Sequence, residues 1–152
     1  MGFFSIHILV VDDYDRWRRF ITDSLRKEPA LQIVAEASDG LDAVRKGREL
    51  QPDLILLDIG LPKLNGIEAA RQIRQVSPNS KILFFSENRS VEIIEEAMRC
   101  GARGFVLKSD AANELLPAIR TVVAGYQFVS TGLAHHCLEA LAHKAPPVNP
   151  VP

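Results

Sequence analysis

The chain has 152 residues, 47% of them hydrophobic and 24% charged, with a formal net charge of −1. That suits one globular domain, or one with a short appendage, able to bury about 68–70% of its unfolded surface without disulfide or metal staples. The near-zero charge gives no support to a nucleic-acid-binding surface, and no apolar run approaches the ~20 residues that span a bilayer.

In chain order, "IHILVV" (6–11) is a β-branched and aliphatic run that reads as a strand ending at Asp12–Asp13. The stretch before it has neither a positive n-region nor a cleavage-like site, which argues against a signal peptide. "DYDRWRRFITDSLRKEP" follows, with Trp17, Phe20, Ile21 and Leu25 at helical spacing and Pro29 closing it. "LQIVAEA" (31–37) alternates as a strand does. "DGLDAVRKGREL" puts Leu41, Val44 and Leu50 near one helical face, with Asp39 as N-cap. "DLILLD" (53–58) is a strand with apolar residues on both faces, and "GIEAARQIRQV" (66–76) is a helix. "KILFFS" (81–86) is a strand, and "SVEIIEEAMRCG" (90–101) is a helix with a Ser cap and a Gly stop. "GFVLK" (104–108) is a strand. "AANELLPAIRTVVAG" (111–125) is a helix that Pro117 would bend.

Five strands alternating with five helices predict a parallel sheet covered by helices on both faces. The expected fold is a flavodoxin-like doubly wound α/β sheet of order 2-1-3-4-5. After Gly125 the pattern changes. One more helix, from about Thr131 to Lys144, and a proline-rich end are expected, dividing the chain into a domain over 1–126 and a tail over 127–152. Cys100 and Cys137 lie far apart without CxxC spacing and read as reduced thiols of a cytoplasmic protein.

The chemistry gathers at the carboxyl ends of the strands, where open α/β sheets build their sites. Strand one ends in Asp12–Asp13, strand three in Asp58, strand four in Ser86 and strand five in Lys108. With strands one and three adjacent, Asp12, Asp13 and Asp58 converge. Clustered carboxylates repel unless a cation neutralises them, and an all-oxygen set suits Mg²⁺. A carboxylate beside Mg²⁺ can act as a nucleophile toward phosphorus, with Lys108 and Ser86 supplying donors to the phosphoryl oxygens. Asp58 is then a strand-end carboxylate meant for phosphorylation.

Taken singly, these residues have ordinary explanations. Asp12–Asp13 could cap a helix, Asp58 could cap a turn before Gly60, Ser86 could be a loop hydroxyl and Lys108 a surface charge. Their joint placement on four strand ends favours a site. Trp17, four residues after Asp13, reads as core packing, with a place near the site as the alternative. The adjacent His135 and His136 point in different directions on a helix and read as surface residues. The "EIIEE" run reads as a solvated face.

The stretches "ILVVDD", "PDLILLDIGLPKLNGIEAARQIR", "KILFFS" and "GARGFVLKSD" resemble the receiver domain of two-component response regulators, over about residues 6–126. The segment "GARGFVLKSDAANELLPAIRTVVAG" looks most like the subgroup that usually carries a C-terminal helix-turn-helix output domain. The resemblance implies that Asp58 is the phosphoacceptor and a sensor histidine kinase the donor. It implies that Asp12, Asp13, Asp58 and the main-chain carbonyl of Gly60 hold Mg²⁺, and that Ser86 and Lys108 contact the phosphoryl group. It also implies that Phe105 is a switch aromatic working with Ser86. The face formed by helix four, strand five and helix five would be the partner surface, open to homodimerisation, with Glu92, Arg99, Arg103 and Glu114 read by a partner.

Such a domain assists its own phosphorylation and hydrolysis without turning over an external substrate. A Mg²⁺-dependent phosphohydrolase is a rival reading, disfavoured because the strand-one pair is adjacent and not Asp-x-Asp. A receiver-like interaction module that takes no phosphate is the other. Glu87 stands where the family usually has a small residue and would narrow access or repel an anionic donor. Ser109 stands where many members have proline. About 27 residues follow Gly125, too few for an output domain.

Overall fold

The computed structural model describes residues 5–133. Strands and helices alternate as β1 (Ile6–Val11), α1 (Asp15–Leu25), β2 (Leu31–Ala37), α2 (Gly40–Leu50), β3 (Leu54–Leu57), α3 (Gly66–Val76), β4 (Lys81–Ser86), α4 (Val91–Arg99), β5 (Gly104–Leu107), a 3-10 turn (Lys108–Asp110), α5 (Ala111–Val123) and β6 (Phe128–Val129). All strand pairs are parallel, in the order β2-β1-β3-β4-β5-β6. No helix among the described residues is long and apolar enough to cross a membrane.

The consecutive apolar residues of the central strands are divided between two cores by the two-residue period of a strand. Leu9, Val11, Ile55, Leu57, Ile82, Phe84 and Phe105 face one cluster, closed by α2, α3 and α4. Ile8, Val10, Leu54, Leu56, Leu83, Phe85 and Val106 face the other, closed by α1 and α5. Each side chain so buried contributes about 1.5–3 kcal/mol. β2, at the sheet edge, keeps its alternating burial.

The caps follow the sequence. Asp39 accepts the Asp42 N–H at 2.8 Å, Asn65 the Glu68 N–H at 3.0 Å and Ser90 the Ile93 N–H at 3.5 Å. Pro117 lies inside a continuous α5. The α4 charges divide differently from expectation. Glu92 and Glu96 are exposed, but Glu95 is buried and paired with Arg99 at 3.2 Å. Its position beside Ile94 and one turn from Met98 puts it on the edge of the inward stripe.

A small residue sets how closely α3 approaches β3. A Cβ on Gly66 would stand 1.9 Å from the Asp58 carbonyl oxygen and 2.7 Å from Ile59 Cα. Backbone cannot yield there as a side-chain tip can. Gly66→Ala is therefore expected to cost about 1–3 kcal/mol, read as a lowered melting temperature. An unchanged melt would mean that the close approach is not a constraint.

The sheet has a sixth strand where five were expected. Phe128 and Val129 pair with Gly104 and Phe105, carrying the sheet past residue 126. The cause is the edge that β5 would otherwise leave open. Gly104 permits the pairing, since a Cβ there would lie 2.7 Å from the Phe128 carbonyl oxygen. Ser130, fully buried, extends the attachment. Its N–H donates to the Phe105 carbonyl at 2.9 Å, and its hydroxyl accepts the Leu107 N–H at 2.8 Å. Residues 131–133 are helical, as the expected helix from Thr131 requires. The rest of that helix, His135, His136, Cys137 and the proline-rich end lie outside the described residues.

Glu114 of α5 fastens this turn by accepting the Thr131 N–H at 3.1 Å and the Thr131 hydroxyl at 2.6 Å. Burial raises the Glu114 pKa, but hydrogen bonds from Thr131 and Ser130 outweigh it and hold the carboxyl below its ordinary value. The depressed value means the carboxylate stabilises the fold above the unfolded pKa of about 4.3. That contribution is lost as pH falls through the folded pKa. Glu114→Gln should therefore melt below wild type at pH 7, with the gap closing toward pH 3. A constant gap across that range would show that the charge on Glu114 is not what holds the turn.

Candidate functional site

Parallel pairing of β1 with β3 and of β3 with β4 brings the carboxyl ends of the central strands to one edge. The Asp12, Asp13 and Asp58 carboxylates each place an oxygen within 4.8 Å of the others, as the strand order predicted. Asp12 and Asp58 are buried and Asp13 is exposed. Asp58, Gly60, Ser86 and Lys108 line one cleft of about 390 Å³, with Asp13 and Glu87 at its walls.

Lys108 reaches into the cluster from the end of β5. Its ammonium stands 2.7 Å from Asp12 Oδ2 and 3.2 Å from Asp58 Oδ2, and the side chain is buried. One buried cation between two buried carboxylates is what makes the arrangement tolerable in a desolvated site. Asp58 Oδ1 accepts the N–H of Ile59 at 2.8 Å, and the Asp58 N–H donates to the Val11 carbonyl at 3.0 Å. The nucleophile candidate is thus held from the main chain on both sides. Asp12 Oδ1 accepts the Tyr14 N–H at 2.9 Å. Burial pushes the Asp12 carboxyl above the usual carboxylate range, against the lowering pull of Lys108 and the Tyr14 N–H.

Asp12 Oδ2 is buried with Lys108 beside it as an ion pair and no donor in hydrogen-bonding geometry. An all-oxygen donor set with one such oxygen fits a small hard divalent cation. Ser86 is buried, and its Oγ accepts the Asn88 N–H at 3.1 Å, leaving its own proton free to donate. Phe105 is fully buried, its ring centroid 6.1 Å from that of Phe84.

Sequence reading missed three supports. Arg18 donates to the Asp12 carbonyl at 2.6 Å and to Glu36 at 2.9 Å, bracing the acidic turn. Ser130 anchors the strand that carries Phe105 and Leu107. Trp17, for which core packing was favoured over a place near the site, lies against Lys108, with the ammonium 5.1 Å from its ring centroid. Its spacing four residues after Asp13, on the first turn of α1, was the available signal.

The family model for the response regulator receiver domain matches residues 8–120. The chain belongs to this family. Among its relatives is response regulator GacA of Pseudomonas viridiflava, 34% identical over 147 residues, covering 97% of this chain and 68% of that protein. Transcriptional regulatory protein DegU of Brevibacillus brevis is 32% identical over 135 residues, covering 89% of this chain and 57% of that one. Among solved structures, a LuxR-family two-component response regulator from Aurantimonas sp. SI85-9A1 superposes with a TM-score of 0.84 at 34% identity, covering 91% of this chain and 99% of that one. The chain spans only part of these curated relatives, its matched stretch covering 54% to 68% of their length. The likeness to a LuxR-family regulator agrees with the subgroup expected from the strand-five segment.

Proposed function

We propose that this receiver is a phospho-acceptor signalling domain in which Asp58 takes a phosphoryl group from a sensor histidine kinase. The observation that carries the reading is the buried Asp58 carboxylate at the head of an open cleft, with the Lys108 ammonium 3.2 Å away. An Asp58 oxygen attacks the phosphorus of a phosphohistidine. The new O–P bond forms as the N–P bond breaks, and the departing imidazole takes a proton from water. Lys108 balances charge on one phosphoryl oxygen, and the Ser86 hydroxyl donates to another. Asp12, Asp13, Asp58 and the Gly60 carbonyl would hold Mg²⁺, which when bound neutralises charge on the carboxylates and the incoming phosphoryl oxygens.

Phosphorylation shifts a two-state equilibrium by drawing Ser86 toward the phosphoryl group, and Phe105 adjusts against it. The α4–β5–α5 face reports the change and serves homodimerisation. Its exposed Glu92 is available to a partner, whereas Arg99 is paired with Glu95, β6 occupies the β5 edge and Thr131 engages Glu114. In this reading the receiver takes in β6 and Ser130, which complete its sheet beyond residue 126, the residues after them form a C-terminal extension, and the protein works in the cytoplasm without turnover of an external substrate.

Intact-mass measurement after incubation with Mg²⁺ and a small acyl phosphate tests this. One added phosphoryl group, dependent on Mg²⁺, is expected. No uptake under those conditions, and no binding of beryllofluoride, would overturn it.

Glu87 stands exposed at the mouth of the cleft, beside the path of an anionic donor. Glu87→Ala should speed phosphorylation by a small acyl phosphate several-fold at low ionic strength, with the gain shrinking at 1 M salt, where the screening length is about 3 Å. A gain that ignores salt would point to steric obstruction instead of charge.

A further inference from the structure

Lys108 has partners on two sides that differ in kind. On one side are the carboxylates of Asp12 and Asp58. On the other are aromatic rings, with the ammonium 5.1 Å from the Trp17 centroid and 5.6 Å from that of Phe85. The two rings meet edge to face, their centroids 5.3 Å apart, and Phe20 backs Trp17 in the same way at 5.6 Å. Both ammonium distances fall within the ~6 Å over which a ring face attracts a cation, and indole is the strongest of the rings. Trp17 also lines a second cleft, with Tyr14, Arg16, Phe20 and Glu87. The indole therefore borders both the ammonium and that cleft.

The carboxylate partners are not constant through phosphoryl transfer. One Asp58 oxygen becomes bonded to phosphorus and the carboxylate loses its charge, so the ammonium must turn from carboxylate to phosphoryl oxygen. The ring faces attract it throughout. They accept no conventional hydrogen bond, so they leave its protons free for the oxygens of the site.

We propose that Trp17 is a positioning residue, whose indole face keeps the Lys108 ammonium at the phosphoryl end of the site while its anionic partners change. The proposal rests on the phospho-acceptor reading. Ordinary core packing of Trp17 would require only bulk at that position, whereas a cation-holding role requires a ring face.

Phosphoryl uptake from an acyl phosphate with Mg²⁺, followed by intact mass on the full chain, separates the two. Trp17→Leu should slow uptake about tenfold and Trp17→Phe two- to threefold, in variants whose melts establish that they are folded. In a Lys108→Met background, Trp17→Leu should bring no further loss, because the partner is gone. Wild-type speed in folded Trp17→Leu, or the same slowing in the Lys108→Met background, would overturn the proposal. Trp17 is the only tryptophan, so its emission reads the contact even if Trp17→Leu fails to fold. Lys108→Met should change that emission in protein given no donor, and unchanged emission would also overturn the proposal. Absence of uptake by wild type would instead bring down the phospho-acceptor reading, which keeps the two failures distinct.

Discussion

Asp58→Asn protein is expected to take up no phosphoryl group from an acyl phosphate or from a phosphorylated kinase, yet to fold and melt close to wild type. The chemical half follows from nucleophilicity. An amide oxygen cannot form the acyl phosphate that a carboxylate forms, and the exposed Asp13 lacks the Lys108 ammonium that faces Asp58 and Asp12. The structural half follows from the contacts. Asparagine keeps the side-chain oxygen that accepts the Ile59 N–H, and the main-chain bond to Val11 is untouched. Lys108 keeps Asp12 at 2.7 Å, so its charge is not orphaned. Intact mass and a thermal melt on the same sample check both halves. Uptake equal to wild type would move the acceptor elsewhere. A collapsed melt would make the loss of uptake uninformative, and Asp58→Ala, which also removes the carboxylate, would then be the variant to use.

Lys108→Met should be the most destabilising change at the site in metal-free solution, costing about 3–5 kcal/mol, because it leaves buried carboxylates without their cation. Methionine retains much of the stem that packs beside Trp17 and Phe85, so the loss is chiefly one of charge. The same variant should gain more from Mg²⁺ than wild type does, since a ligand that binds only the folded state stabilises it more the tighter it binds, and Lys108 no longer competes for the carboxylates. Melting curves with and without Mg²⁺ measure both effects. A wild-type melt for Lys108→Met without metal would mean that the ion pairs contribute nothing net. An equal Mg²⁺ shift in both proteins would mean that ammonium and metal do not share the acidic cluster.

Much of this was legible in the chain. The run Leu54–Leu57 betrayed a strand buried on both faces, and Asp58 directly after it marked a strand-end site. Both follow from short-range periodicity and from the rule that open sheets bind at their carboxyl ends. Asp39 and Ser90 announced their helices because a cap is a local event. What escaped depended on contacts distant in sequence. Phe128 and Val129 are too short a pair to read as a strand, and only the open edge of β5 makes them one. Glu95 was hidden in an acidic run whose exposure looked uniform, and Trp17's spacing from Asp13 hinted at the site but not at its partner Lys108, 91 positions later. The acidic pair and the lysine were readable as types. The aromatic wall behind the lysine was not.

Reductive trapping reads the Asp58 carboxylate directly. Borohydride converts an aspartyl phosphate to homoserine, and peptide mass mapping then locates the changed residue. After treatment with Mg²⁺ and an acyl phosphate, homoserine is predicted at position 58 and at no other aspartate. Homoserine at position 12 or 13, or phosphorylated protein that resists reduction, would contradict the account.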